Sequence, residues 1–588
     1  MTAKPRTPRV SVPEWAKDAV WYQIFPERFR NGSPDNDPQA ADITHDPVPG
    51  WKVCRWGMDW YEREPWEIGL RGFYKSVYLR RYGGDLLGVR EKLGYLQDLG
   101  VNAIYLNPVF RAPSLHKYDA MCLHHVDPTF GPDRQGDLGL LGRAGETENP
   151  GTWIWTAADR CLLDLVAEVH RRGMRIVLDG VFNHVGTGFF AFQDVVRNGR
   201  ASRFADWFRI TRWRSDGTFD YKGWFGSKGL PELARSASDL AAPVRQYLFD
   251  ITRRWMDPDG DGDPSDGVDG WRLDVAFCVP HGFWKTWRKH VKSINPDAFL
   301  TGEVVRLATP FLRGDEFDSV MNYMWLFPTV RFFSPGPHPI TAQELREELV
   351  ELDRAYPREV SLVLQNLLDS HDVGRIATVL ENRLPLKKDW DTYFNLSRVA
   401  SNPRLSTRKP GRLAYDVLRQ LVVFQMTYPG APMIYYGTEV GMWGANDPDD
   451  RQPMLWDDIR YDSETHDPNG AGRPEIRAPD RELFRFFQRA IALRNGNAVL
   501  RRGGFRWLGE TRGRVAAFAR HDGEREIRAY FNASDEPEER KLERPASDLW
   551  DGGKPVDPGR LAIGPRGWRV LEVRSGSGAV RTPARGRR

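Results

Sequence analysis

The 588-residue sequence has only four cysteines, Cys54, Cys122, Cys161 and Cys278, with no CxxC pair among them. They build neither a disulfide framework nor a thiolate metal site, so reduced, buried thiols in a cytoplasm are the default. No run of 18 or more apolar residues occurs, which argues against a membrane-spanning helix. The start, MTAKPRTPRVSVPEW, carries charge and proline but no apolar signal-peptide core, which argues against secretion. A charge excess is lacking too: 84 Lys and Arg stand against 80 Asp and Glu, a net +4. Five of the arginines fall between Arg574 and Arg588, and without them the body is slightly acidic. A nucleic-acid partner therefore has little electrostatic support. The Gly/Ser/Arg stretch 575–588 reads as a disordered basic tail.

Aromatic residues are plentiful, with 22 Trp in a chain that is 12% aromatic. Such numbers suit heavy cores or a cleft that stacks on flat sugar faces, and for any single Trp the two readings weigh about equally. The length implies two to four units at about 100–200 residues per domain, fewer if one is a large barrel. Apolar runs rich in β-branched and aromatic residues lie at 19–26, 101–110, 174–184, 270–276, 298–304, 319–325, 361–372 and 431–437. Amphipathic helical patterns at 86–100, 157–173 and 413–428 alternate with them. Eight strands with helical crossovers predict an α/β fold, a (β/α)₈ TIM barrel over 19–480 after an N-terminal extension, 1–18. The Phe/Trp-rich stretch 185–242 after the third strand is long enough for an inserted subdomain. Short strand patterns such as VAAFARH and EIRAYFN predict a C-terminal antiparallel β-sandwich over 481–574.

In such a barrel the catalytic groups stand at the C-terminal ends of the strands. Those ends carry Asp179, Asn183, His184, Arg272, Asp274, Glu303, His371 and Asp372. Glycosidic cleavage needs one carboxyl to protonate the leaving oxygen and another to attack or stabilise the oxocarbenium-like centre. Three acids on neighbouring strand ends meet that need. Arg272 and Asp274, two apart on a strand, point to one face, so the cation is expected to keep Asp274 ionised. Burial and like-charge crowding are expected to raise Glu303. A lone charged residue at a strand end is usually a salt-bridge partner; eight together point to chemistry.

The strings DGVFNH (179–184), GWRLDVA (270–276), GE (302–303) and LLDSHD (367–372) resemble the four short catalytic regions of the α-amylase family of glycoside hydrolases. WYQIFPERFRNG, HKYDA (116–120) and APMIYYGTEVGM…DPDDRQPMLW are similar to its neopullulanase, cyclomaltodextrinase and maltogenic amylase branch. The resemblance implies a retaining hydrolase of α-1,4-linked glucans. Asp274 would then be the nucleophile, Glu303 the acid/base and Asp372 the third carboxylate. It also implies that Tyr118, Asp119, His184, Arg272 and His371 line the sugar subsite. It further implies a structural Ca²⁺ held by Asn31, Asn36, Asp37, the Gly83 backbone and Asp85, with Ser33 in place of the usual Asp and Asp35 as its substitute. A second calcium candidate rests on the spacing of Asp257, Asp259 and Asp261, which matches the first EF-hand ligands. Val268 stands where the bidentate acid would be, so an acidic, solvated turn is the competing reading.

The sequence departs from the branch where the acceptor side of the cleft would form, at Phe277, Cys278, Val304 and Val305. In 229–240, Pro231 and Leu233 fit a further region of the branch, while Glu232 and Ala234 do not. The β domain that precedes the barrel in that branch has no counterpart before Ala19, so a monomer or weak homo-oligomer is expected. A transglycosylase or glucosyl isomerase would use the same three acids. A non-catalytic binding subunit would have lost them.

Overall fold

The computed structural model describes residues 10–43, 48–336, 339–384, 386, 389–468 and 470–573. The tail 575–588 and the first nine residues of the N-terminal extension lie outside them. The eight expected strands are β1 Trp21–Ile24, β2 Ala103–Leu106, β3 Arg175–Gly180, β4 Gly270–Leu273, β5 Phe299–Gly302, β6 Ser319–Val320, β7 Gln365–Leu367 and β8 Ala431–Tyr435. They form one parallel sheet in the order β6-β5-β4-β3-β2-β1-β8-β7. A parallel bridge from Met321, just past β6, to Gln365 closes it into a barrel.

Side-chain alternation along these strands sorts the barrel interior by chemistry. At the N-terminal end Trp21 of β1 stacks on Phe299 of β5, their rings 5.0 Å apart, and Trp15 leans on both. Gly270 fits beside this plug because a Cβ there, at φ 150°, would lie 1.9 Å from the Phe299 carbonyl oxygen. Two residues further along each strand the inward groups turn polar: Gln23, Tyr105, Arg272 and Thr301. Outward residues such as Trp271 pack on helix His281–Ile294 through Trp287.

Helix Ala157–Arg171 opens on a reciprocal Thr156–Asp159 capping box and buries Ala158, Cys161, Leu162, Leu165 and Val169 at three- and four-residue spacing. The amphipathic run 86–100, expected as one helix, is two, Leu86–Glu91 and Leu93–Leu99. The break is at Lys92, whose N–H is shared between the Gly88 and Val89 carbonyls; glycines at 88 and 94 weaken the turn on either side. Residues 48–82, between β1 and β2, form a satellite core around Trp60, Tyr61, Trp66, Phe73 and Tyr82. The insertion after β3 holds helix Phe190–Asn198 and a hairpin, Ile210–Trp213 with Phe219–Tyr221.

Past helix Arg481–Asn495, a six-stranded and a two-stranded antiparallel sheet face each other across Tyr530, Leu542, Leu561 and Leu571. The other face of the larger sheet joins the barrel's core: Phe424, on helix Arg412–Thr427, contacts Phe518 and Phe531. Cys54, Cys122 and Cys161 are free and buried, and Cys278 is free and half-buried. Among the described residues no helix is long and apolar enough to cross a membrane. If barrel and C-terminal sheet share one core, Phe424→Ala should cost about 3–5 kcal/mol. Urea unfolding followed by tryptophan fluorescence reads this, and a loss under about 1 kcal/mol would refute the shared core.

Candidate active site

Arg272 is fully buried at the C-terminal mouth of the barrel. Its Nη1 donates to both oxygens of Asp179 at 2.9 and 3.0 Å and to Asp274 Oδ1 at 3.0 Å, while Nη2 faces Glu303 Oε1 at 3.0 Å. The strands dictate this meeting. Asp179 is the register partner of Arg272, and the ladder continues past the strand ends through Asp274 N–H to Gly180 O and Glu303 N–H to Leu273 O. Val275, at φ 37°, turns its N–H onto Glu303 Oε2 at 3.0 Å. The expectation paired Arg272 with Asp274 alone, to keep it ionised; the structure divides the cation among three acids, and burial outweighs it at Asp274.

Asp372 stands apart from that guanidinium, gripped by His371 Nε2 at 3.0 Å and Arg451 Nη2 at 3.1 Å, its side chain 26% exposed. Gln23 Nε2 donates to His371 Nδ1 at 2.7 Å, which leaves the Nε2 proton facing Asp372 and the Tyr118 hydroxyl. Tyr118 stacks parallel to His371, with ring centres 5.6 Å apart, and its hydroxyl donates to Asp179 Oδ2 at 3.0 Å. His184, after β3, stacks on Trp224 of the insertion at 5.1 Å and leaves its buried Nε2 unpartnered. Asp119 accepts from the Ser114 hydroxyl.

Burial pushes Asp274 well above, and Glu303 above, the ordinary carboxylate range, with Arg272 pulling both back. Asp372 goes the other way: burial would raise it, but His371 and Arg451 outweigh burial and hold it below that range. Burial pushes His184 down to about 3, so the ring is neutral. The site thus holds one carboxylate poised to stay charged and a pair poised to retain a proton.

Sequence reasoning missed Gln23, Tyr105, Asn107 and Arg451. Tyr105 donates to Asp179 Oδ2 at 2.6 Å and Asn107 to the Tyr118 hydroxyl at 3.0 Å. A signal existed, since both point inward at the end of β2. For Arg451, 79 residues from Asp372, no spacing could supply one. Of the four departures from the branch, Val304 and Val305 are buried in the main core. Phe277, 37% exposed, and Cys278 line a cleft of about 590 Å³ with Arg235, His281 and Lys285.

The first cluster expected to hold calcium is assembled from two loops. Asn31 Nδ2 donates to Asp37 Oδ1 at 2.7 Å, and Gly83 approaches so closely that a Cβ would lie 2.0 Å from that oxygen. Asn31 Oδ1 and Asn36 Oδ1 are buried without hydrogen-bond partners. Burial pushes Asp37 and Asp85 up to about 6. Asp85 spends both oxygens inside the protein, capping helix Leu86–Glu91 through Gly88 N–H and accepting from Gly32 N–H, Ser33 N–H and Asn36 Nδ2. In the acidic loop the structure gathers Asp257, Asp259 and Asp266, whereas Asp261 turns Oδ1 to the Asp263 N–H at 2.7 Å.

The family profile described as "Alpha amylase, catalytic domain" matches residues 23–140 and 158–398. Neopullulanase 2 of Thermoactinomyces vulgaris is 36% identical over 545 residues, 92% of this chain and 73% of that protein. A cyclomaltodextrinase of a Bacillus species is 35% identical over 528 residues, 88% of this chain and 73% of that protein. Among solved structures, the type III pullulan hydrolase from Thermococcus kodakarensis superposes with a TM-score of 0.72 at 26% identity, covering 96% of this chain and 83% of its own. The cyclic α-maltosyl-(1→6)-maltose hydrolase from Arthrobacter globiformis gives 0.68 at 27% identity, covering 95% and 100%.

Arg272→Met removes the cation that three buried acids share. The folded-state pKa values of Asp274 and Glu303, already raised by burial, then rise further above the unfolded ones. The variant should keep its stability below the ordinary carboxylate range and lose about 3–5 kcal/mol as pH rises from that range through the raised folded-state values. Urea melts at pH 4 and pH 8 check this; equal losses at both would show that the charge of Arg272 is not what matters.

Proposed function

The chain belongs to the α-amylase family of glycoside hydrolases, and from that premise we propose that it cleaves α-1,4-glucosidic bonds of starch-derived glucans with retention of configuration. The observation that carries this reading is the single buried guanidinium shared by Asp179, Asp274 and Glu303 opposite a separately charged Asp372. Asp274 attacks the anomeric carbon as the leaving oxygen takes a proton from Glu303, giving a glycosyl ester on Asp274. Glu303 then takes a proton from water, whose oxygen attacks the same carbon and releases Asp274. Asp372, kept ionised by His371 and Arg451, accepts sugar hydroxyls and steadies the distorted ring. His184 offers its unpartnered ring nitrogen, and His371, Tyr118 and Asp119 the wall, of the non-reducing-side subsite. The relatives named for pullulan and cyclodextrin support maltooligosaccharides, cyclodextrins, pullulan or starch as substrate. Phe277 favours a second outcome: an exposed ring three residues along the chain from Asp274 is a platform on which a sugar acceptor can intercept the ester, making the enzyme a transglycosylase.

Calcium fits the first cluster. Asn31 Oδ1, Asn36 Oδ1, Asp37 and the Gly83 backbone are hard oxygen donors, and two of them lack any partner. Asp85 acts there by positioning Asn36. The loop of Asp257, Asp259 and Asp266 is the second candidate. A cytoplasmic enzyme, monomeric or weakly associating, is the accompanying reading; a 33% identical relative is the intracellular maltogenic amylase of Bacillus subtilis.

Incubation with soluble starch, pullulan, β-cyclodextrin and maltotriose, with products resolved by chromatography, tests the substrate class. Inertness toward all four would overturn it. Proton NMR should show the α-anomer released first. Asp274→Asn should abolish turnover with the fold intact. Glu303→Gln should lower kcat/KM on starch by about 10²–10⁴-fold but spare α-maltosyl fluoride, whose leaving group needs no proton. Because burial raises the Asp274–Glu303 pair, the alkaline limb of kcat/KM, where the proton donor is lost, should lie above the ordinary carboxylate range and vanish in Glu303→Gln. Calcium added to chelator-treated protein at about a hundred times its Kd should add about 2.7 kcal/mol; an unchanged thermal midpoint would remove both cation sites.

A further inference from the structure

His124 and His125 lie in the segment after β2, remote in sequence from every catalytic acid, and both are buried. Their Nε2 atoms face Glu146, at 3.8 Å from His124 and 2.9 Å from His125, and the three ligand atoms lie within 4.8 Å of one another. Each ring is fixed from behind. Asp159 holds His125 Nδ1 at 2.7 Å, and the Tyr247 hydroxyl holds His124 Nδ1 at 2.8 Å. The Asp159 carboxylate is itself anchored by Val126 N–H, Thr156 N–H and Arg254. Trp153 closes one side by stacking on His124 with ring centres 4.6 Å apart.

We propose that His124, His125 and Glu146 form a binding site for a late first-row divalent cation of the zinc class. Two imidazole nitrogens and one carboxylate oxygen are the donor set such ions take, with water as the fourth ligand. Ligand atoms about 2.0–2.1 Å from a tetrahedral ion stand about 3.3 Å apart, and the separations of 2.9 and 3.8 Å bracket that value. The carboxylate behind His125 is the arrangement that fixes a metal-binding tautomer and leaves Nε2 to the ion. On binding, the ion replaces the proton that His125 Nε2 shares with Glu146, and that proton leaves to solvent. Glu146 sits between the two stretches matched by the family profile, in 141–157. The ion would therefore tie a segment outside the two profile-matched stretches to the capping box of helix Ala157–Arg171, as a structural staple without contact to the reaction.

Untagged, chelator-treated full-length protein is titrated with Co²⁺ and Zn²⁺ in millimolar CaCl₂, which saturates the oxygen sites. Wild type should bind one equivalent, with the visible Co²⁺ absorption of four-coordinate nitrogen ligation. Glu146→Gln and His124→Gln should lose it while keeping activity on starch. Tyr247→Phe, which removes the hydroxyl behind His124 and with it the acceptor of the Leu123 N–H, should bind about 10–100-fold more weakly, and it carries the decision if a histidine variant fails to fold. No uptake by wild type, or equal uptake in wild type and Glu146→Gln, would overturn the site and leave a hydrogen-bonded clamp.

Discussion

A guanidinium with no solvent exposure has given up its hydration, a cost of several kcal/mol that only close, well-directed acceptors offset. Arg272 meets that condition by drawing Asp179, Asp274 and Glu303 onto two of its nitrogens. The arrangement of the barrel mouth follows. Asp179 in turn orders the hydroxyls of Tyr105 and Tyr118, and Tyr118 orders His371 by stacking and hydrogen bonding. Three acids against one cation leave an excess of negative charge in a poorly solvated place. The least costly relief is a retained proton on the Asp274–Glu303 pair. The same imbalance that the fold must accommodate supplies the proton that bond cleavage consumes.

The plug of Trp21 on Phe299 sets the other boundary condition. Packed aromatic rings fill the closed end of the barrel, so the polar layer above cannot sink inward and the charged groups are presented at the open rim. Rigidity at one end and polarity at the other are produced by the same two-residue alternation along each strand.

That alternation is also why so much was legible in the sequence. Each barrel strand is an apolar run whose polar exceptions fall at its C-terminal end, so Asp179, Arg272, Asp274, Glu303, His371 and Asp372 could be placed at one mouth before any geometry was known. Local patterns failed where the deciding contact is distant or conformational. The partition of Arg272 depends on three strands meeting. Arg451 reaches Asp372 from beyond the last barrel strand. In the acidic loop a spacing argument selects Asp261, but the turn points that carboxylate at its own backbone and lets Asp266 fold back beside Asp257. Helix-like periodicity over 86–100 persists through the break because periodicity does not register which turn is strained.

The parallel barrel pairs its first strand with its last, β1 with β8, and the loop carrying Arg451 is clasped by residues near the start, Trp60 and Tyr74 on Asp449. A chain that leaves the ribosome from its N-terminus cannot pair β1 with β8 until Tyr435 has emerged, nor close the clasp until Asp449 has. At about 5–20 residues per second the stretch from β1 to that loop takes roughly 20–90 s to emerge. Until then β1 has an unpaired edge and the satellite core of 48–82 lacks the loop it grips. Such long-range closure is slow and leaves sticky intermediates. The charged mouth is therefore among the last parts of the barrel to be completed, because Arg451 reaches Asp372 only after all eight strands have been made.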